Sequence, residues 1–185
     1  MAALSLSTIP EGTVHVFVDG AFVDGSCGCG VVFALRKDGR LITRELSLTA
    51  SEAATLAGVG EALDAKRESE RLRNVLGELL AFLAALSHVR PGTSLVVVHD
   101  YEGIAAWFRG DWKARDQVVC RLVHTARQMA EEKLLAVEFR HQPSHRSPER
   151  DGEFAAYNRA ADRLAFMAAK RAATDAVAGG QGRRR

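Results

Sequence analysis

The stretch VHVFVDGAFVDGSCGCGVVF, residues 14–33, carries the tripeptide Val-Asp-Gly twice. Over residues 13–19 it alternates, with Val14, Val16 and Val18 on one face and His15, Phe17 and Asp19 on the other. That period of two, in β-branched composition, is the pattern of a strand. Asp19 is expected to end the strand, and the glycine-rich residues 20–30 to turn into a second strand at GVVFALR, residues 30–36. Asp24-Gly25 is ordinary turn chemistry. Of the two aspartates, Asp19 is therefore the one available for a site. GSCGCG, residues 25–30, imitates a glycine-rich phosphate loop, but it joins two strands and opens no helix, so it reads as a hairpin. Lys37-Asp38-Gly39 turns again into LITRELSL, and three strands joined by short turns make an antiparallel meander.

Beyond the meander, residues 49–68 read as a loop or a marginal helix. SERLRNVLGELLAFLAAL, residues 69–86, is an amphipathic helix in which Leu72, Val75, Leu76, Leu79, Leu83 and Leu86 recur at three and four. Asn74 and Glu78 sit one turn apart on the flank of that stripe. Pro91-Gly92 stops the chain, and SLVVVHD, residues 94–100, is a continuous apolar strand of the kind buried in a parallel sheet, ending at Asp100. Helices over 101–109 and 114–132, a strand at LLAVEFR and a last helix over 153–176 complete an α/β order βββαβαβα. Residues 1–12 are expected to be an N-terminal extension, 13–175 the domain, and 176–185 a disordered basic tail.

At 185 residues and 47% hydrophobic, the chain is long enough for one ordinary domain with its own core. Three cysteines and no charged-then-apolar leader imply reduced thiols and a cytoplasmic protein. No apolar run approaches the roughly 20 residues of a membrane span, so no membrane partner is expected. The expected state is a monomer. Net charge is only +2, yet residues 140–185 hold ten Lys and Arg against five Asp and Glu, while the remainder holds fifteen against eighteen. A basic end on a near-neutral body suits a polyanion, although a solvated basic helix and tail are the commoner explanation.

A right-handed crossover lays the strand ending in Asp100 parallel to an earlier one. If that neighbour is the first strand, Asp19 and Asp100 emerge together at the carboxyl edge, where ligands bind in open α/β sheets. Two adjacent carboxylates are uncomfortable unless a cation lies between them. Glu78 can add a third carboxylate and Asp162, on the last helix, a fourth. An all-oxygen set favours Mg²⁺ or Mn²⁺ over Zn²⁺. Two such ions held together suit hydrolysis of a phosphodiester.

Six segments, in order, resemble ribonuclease H of the type-one family. They are VFVDG (16–20), RNVLGE (73–78), HDYEGI (99–104), WFRGDWKA (107–114), PSHRS (143–147) and NRAADRLA (158–165). The likeness is greatest to the bacterial branch with an Asp-Tyr-Glu-Gly-Ile signature and spans about residues 13–170. The resemblance implies a mixed five-stranded sheet with helices on both faces. It also implies an endoribonuclease that cuts the RNA strand of RNA/DNA hybrids with two Mg²⁺ ions, Mn²⁺ substituting, to leave 5′-phosphate and 3′-hydroxyl ends.

By that resemblance Asp19, Glu78, Asp100 and Asp162 are the metal-binding carboxylates, and His145 is the histidine that assists the attacking water or product release. Asn74 is the minor-groove contact, with Gly20, Ala21, Tyr101 and Lys113 the other substrate-facing positions. Ala21 stands where the family usually has serine. The final loop is longer than the family's, so His141, Glu149, Asp151 and Glu153 are alternatives to His145. Trp107 and Trp112 read as core and edge packing. Cys27 and Cys29 lie too close in sequence for the usual zinc spacing. A nuclease acting on DNA and a catalytically silent hybrid-binding module are the competing assignments.

Overall fold

The computed structural model describes residues 9–142 and 154–181. Strands β1 (Val14–Val23), β2 (Ser26–Lys37) and β3 (Arg40–Thr49) form the meander. After them come α1 (Ala50–Leu56), a 3-10 turn (Gly60–Ala62), α2 (Ala65–Leu72), α3 (Asn74–His88) and β4 (Ser94–His99). The chain continues through α4 (Gly103–Arg109), α5 (Gln117–Glu132), β5 (Ala136–His141) and α6 (Ala155–Gln181). The sheet order is β3-β2-β1-β4-β5, with β1–β2 and β2–β3 antiparallel and β1–β4 and β4–β5 parallel. The expected parallel crossover is therefore present, and the earlier strand it lands on is the first.

Alternation along the strands sorts the core into two layers. Val16, Val18, Val31 and Phe33 face α1 and α3, with Val119, Leu122 and Ala126 of α5 behind them. Phe17, Val32, Ala34 and Val98 face the start of α6, through Phe154, Tyr157, Ala161 and Leu164. Every residue of α3 from Leu76 to Leu86 is buried, because the helix lies between the sheet and α5. A helix enclosed on all sides needs apolar residues all round.

The glycine-rich stretch 20–30 is not a turn. Strand β1 runs on to Val23 and β2 begins at Ser26, so the turn shrinks to Asp24-Gly25, both at positive φ (46° and 82°). Asp38-Gly39 repeats the device at 51° and 72°, as two-residue hairpins of the primed type require. The other glycines serve close approach. A Cβ at Gly28 or Gly30 would overlap the backbone of α6 at Ala165 or Ala161, and one at Gly20 would overlap α3 at Glu78. Two helices thus rest on bare strand backbone.

Three further boundaries differ from expectation. The single helix over 69–86 is broken at Arg73, which takes φ 52° and ψ −131°, while its carbonyl accepts from Leu76 N–H and from the Cys27 thiol at 3.0 Å. The loop over 49–68 contains α1, started by a Thr49/Glu52 capping box. Helix α6 continues to Gln181, six residues into the expected tail, after an alanine-rich run of high helix propensity over residues 165–178. Ile9 is 2% exposed in the α6-side core, and Gly12 N–H bonds to Arg36 C=O, so the packed unit begins before residue 13.

Candidate active site

The last parallel pair between β1 and β4 is Phe17 with Val98, whereas β1 stays paired with β2 as far as Val23. Asp19 therefore lies inside a strand, not at its end, at the point where β4 parts from β1. Asp100 is the residue after β4. Glu78 reaches the same edge from the second turn of α3, which the bare backbone of Gly20 brings close. One carboxylate oxygen from each of Asp19, Glu78 and Asp100 lies within 4.8 Å of the other two. Among the described residues this is the one such group of metal-ligating side chains.

Glu78 is 4% exposed, and its Oε2 atom is buried without a hydrogen-bond partner. Burial first, then the charge of Asp100, pushes the Asp19 carboxyl up from 3.8 to about 7. Burial, then Asp19 and Asp100, holds the Glu78 carboxyl well above its ordinary value. Buried like charges raise one another's pKa, and a divalent cation between them reverses that cost. An orphaned buried oxygen in an all-carboxylate set fits a hard divalent ion. Asp162 stands apart from the tight group. It is exposed on α6, yet close enough for its charge to raise Asp19 further.

The expected substrate-facing residues fall in two places. Asn74 is exposed at the first position of α3, and its backbone carbonyl lies against Gly20, with half-buried Ala21 next in β1. The Tyr101 ring covers Gly103 and meets Trp107 edge-on, with the centroids 5.6 Å apart. Burial, then Glu78, raises the Tyr101 hydroxyl pKa, which puts the ring beside the acids. Lys113 lies in the α4–α5 connection, where it lines a cleft of about 620 Å³ with Trp107, Trp112, Arg115 and Asp116. Trp107 is half-buried and Trp112 is 47% exposed, which agrees with core and edge packing.

His145 lies outside the described residues, as do Glu149, Asp151 and Glu153. His141 is described, at the end of β5, and its Nε2 donates to the backbone carbonyl of Asp100 at 2.9 Å. Two surface features went unread in the sequence. The Arg73 guanidinium lies 5.0 Å over the Phe22 ring, close in sequence to Asn74. Arg71 bridges Glu68 and Asp116, tying α2 to the start of α5. Only the Asp-Gln-Val run at 116–118, a capping signal, pointed toward the second.

A β3-β2-β1-β4-β5 sheet with helices on both faces defines a ribonuclease H-like fold. Among solved structures, the chain is similar to the ribonuclease H1 called LC11, isolated from compost by a metagenomic approach. The identity is 18% over 87% of this chain and 98% of that one, with a TM-score of 0.60. The same LC11 protein in complex with an RNA/DNA hybrid matches at 18% identity over 86% and 99% of the chains, again at 0.60. No family model and no curated protein matches the sequence.

Proposed function

We propose that this chain is a metal-dependent endoribonuclease that hydrolyses the RNA strand of RNA/DNA hybrids. The carrying observation is the group Asp19, Glu78 and Asp100, with ligand atoms within 4.8 Å and a buried Glu78 oxygen left unpartnered. The hybrid bound by the similar LC11 protein supports the choice of substrate.

Asp19, Glu78 and Asp100, with Asp162 at the rim, would hold two divalent ions, Mg²⁺ or Mn²⁺. When bound, these ions activate water and stabilise the 3′ leaving oxygen, giving 5′-phosphate and 3′-hydroxyl ends. Because burial raises the pKa of both Glu78 and Asp19, uptake of a cation there would be coupled to proton release. Asn74, with Gly20 and Ala21 beside it, reads the minor groove, where the 2′-hydroxyl distinguishes RNA from DNA. Tyr101 walls the acids on the α4 side, and Lys113 takes a phosphate. His145 assists the water or the departing product. The working unit is a cytoplasmic monomer; among the described residues no helix is long and apolar enough to cross a membrane.

The test is cleavage of an end-labelled hybrid beside matched DNA duplex, RNA duplex and single-stranded RNA, with Mg²⁺, with chelator and with Asp100→Asn. Cutting confined to the RNA of the hybrid, and lost with chelator and variant, is the expected result. A hybrid that is bound but never cut would make the chain a binding module. Cutting of DNA duplex instead would make it a DNA nuclease on the same fold.

A further inference from the structure

Asp100 lies one residue beyond β4, where the β1–β4 ladder no longer supports the chain. Three successive carbonyls there each accept a hydrogen bond. His99 C=O takes the N–H of Gln142 at 2.8 Å, and Asp100 C=O takes Nε2–H of His141 at 2.9 Å. Tyr101 C=O takes Nδ1–H of His99, also at 2.9 Å. Two of the donors come from the end of β5, brought there by the register that pairs His99 with His141. His99 is itself fixed, 2% exposed and edge-on to Phe139 with the ring centroids 5.8 Å apart.

Of these bonds, the one from His141 is the one that lands on the carbonyl of Asp100 itself. A carbonyl accepts and never donates, so His141 carries its proton on Nε2 and spends it there. The ring's other nitrogen, Nδ1, faces Glu102 at 3.9 Å. A carboxylate on an irregular segment must be held to within about 0.5 Å to serve a constellation of ligands. The ring therefore supplies from a side chain the restraint that the strand ladder supplies at Phe17 and Val98.

We infer that His141 is a positioning residue that holds the Asp100 backbone so that its carboxylate meets Asp19 and Glu78 in a geometry fit for a divalent ion. The inference rests on the proposal that these three acids bind metal. It also gives His141 a part different from the one assigned to His145, since the Nε2–H of His141 is committed to the Asp100 carbonyl.

Mn²⁺ binding to the full chain, measured by isothermal titration calorimetry, tests it on wild type, His141→Leu and His141→Gln. Leucine removes the donor at similar size, and the glutamine amide restores one near the Nε2 position. Loss of such an outer support weakens metal binding about tenfold, so that rise in dissociation constant is expected for His141→Leu. Recovery to within about twofold of wild type is expected for His141→Gln, with the metal-free unfolding midpoints of all three alike. Equal Mn²⁺ affinity in wild type and His141→Leu overturns the inference, and so does a glutamine variant as weak as the leucine one. Unchanged affinity with a fall in turnover at saturating Mn²⁺ in both variants also overturns it, by placing His141 in the chemistry. A wild type that takes up no Mn²⁺ overturns the metal site and the inference together, a signature distinct from the other three.

Discussion

Replacing Asp100 with asparagine should stabilise the metal-free protein while abolishing the proposed cleavage of hybrids. Asp19 binds its proton with a pKa near 7 instead of 3.8, through burial and then through the charge of Asp100. A rise of about 3 units is about 4 kcal/mol of preference for the neutral form, of which burial takes the larger part. Two charges within 4.8 Å at an effective dielectric of about 20 repel by about 3 kcal/mol or more, so it is the larger part taken by burial that holds the share of Asp100 below about 2 kcal/mol. A gain of about 1–2 kcal/mol at pH 8 follows for Asp100→Asn.

The sign depends on pH. Because the folded pKa of Asp19 lies above the unfolded one, the folded protein holds the extra proton, and stability falls as pH rises from 3.8 through about 7. Below that window Asp19 is neutral and the substitution gains little. Urea denaturation in chelator should therefore give a midpoint higher for Asp100→Asn than for wild type at pH 8, corresponding to about 2–8 °C in Tm, and nearly equal midpoints at pH 4. Saturating Mg²⁺ should raise the wild type more than the variant and narrow the gap. A variant that unfolds earlier than wild type at pH 8, or a gain as large at pH 4, would refute the electrostatic account of the cluster.

Gly30→Ala forces a Cβ into the Ala161 carbonyl, and because that carbonyl is helix backbone and the Cβ is fixed by the strand it should cost about 3 kcal/mol or more in thermal unfolding and displace the helix bearing Asp162. Asp116→Ala removes the side chain that caps α5 at Val118 and Val119, for a loss of about 1 kcal/mol by urea titration. Arg71 and those caps hold the Asp116 carboxyl down to about 2, so its contribution should be present above pH 3.8 and vanish as pH falls through 2, when wild type and variant converge. Ile9→Ala should cost about 2 kcal/mol, measured by the same titration, because the residue fills the α6-side core. An exposed N-terminal extension would show no change.

Much of the local structure was determined by the sequence alone. Alternation over residues 13–19, the Asp-Gly turns, the apolar run at 94–100 and the stripe of α3 each express a period or a turn preference within a few residues. They were enough to define strands, their meander and a βαβ crossover, while the strand on which the crossover lands, and so the meeting of Asp19 with Asp100, was left to the sheet pairing. What rests on distance between elements was decided only by the tertiary structure. The glycines of residues 20–30 look like a flexible turn until α3 and α6 are laid on them, because a missing Cβ says nothing about which neighbour needs the space. Arg73 breaks a continuous helical stripe with no glycine or proline to announce it, since the break is held by Ser69 and by Cys27 from a strand some 46 residues away. Asp162, in sequence a solitary helical acid that only the family resemblance joined to the others, stands at the rim in space. His141 gained its place only when parallel pairing set the end of β5 against the carbonyl of Asp100, a contact between residues 41 positions apart that no local pattern encodes.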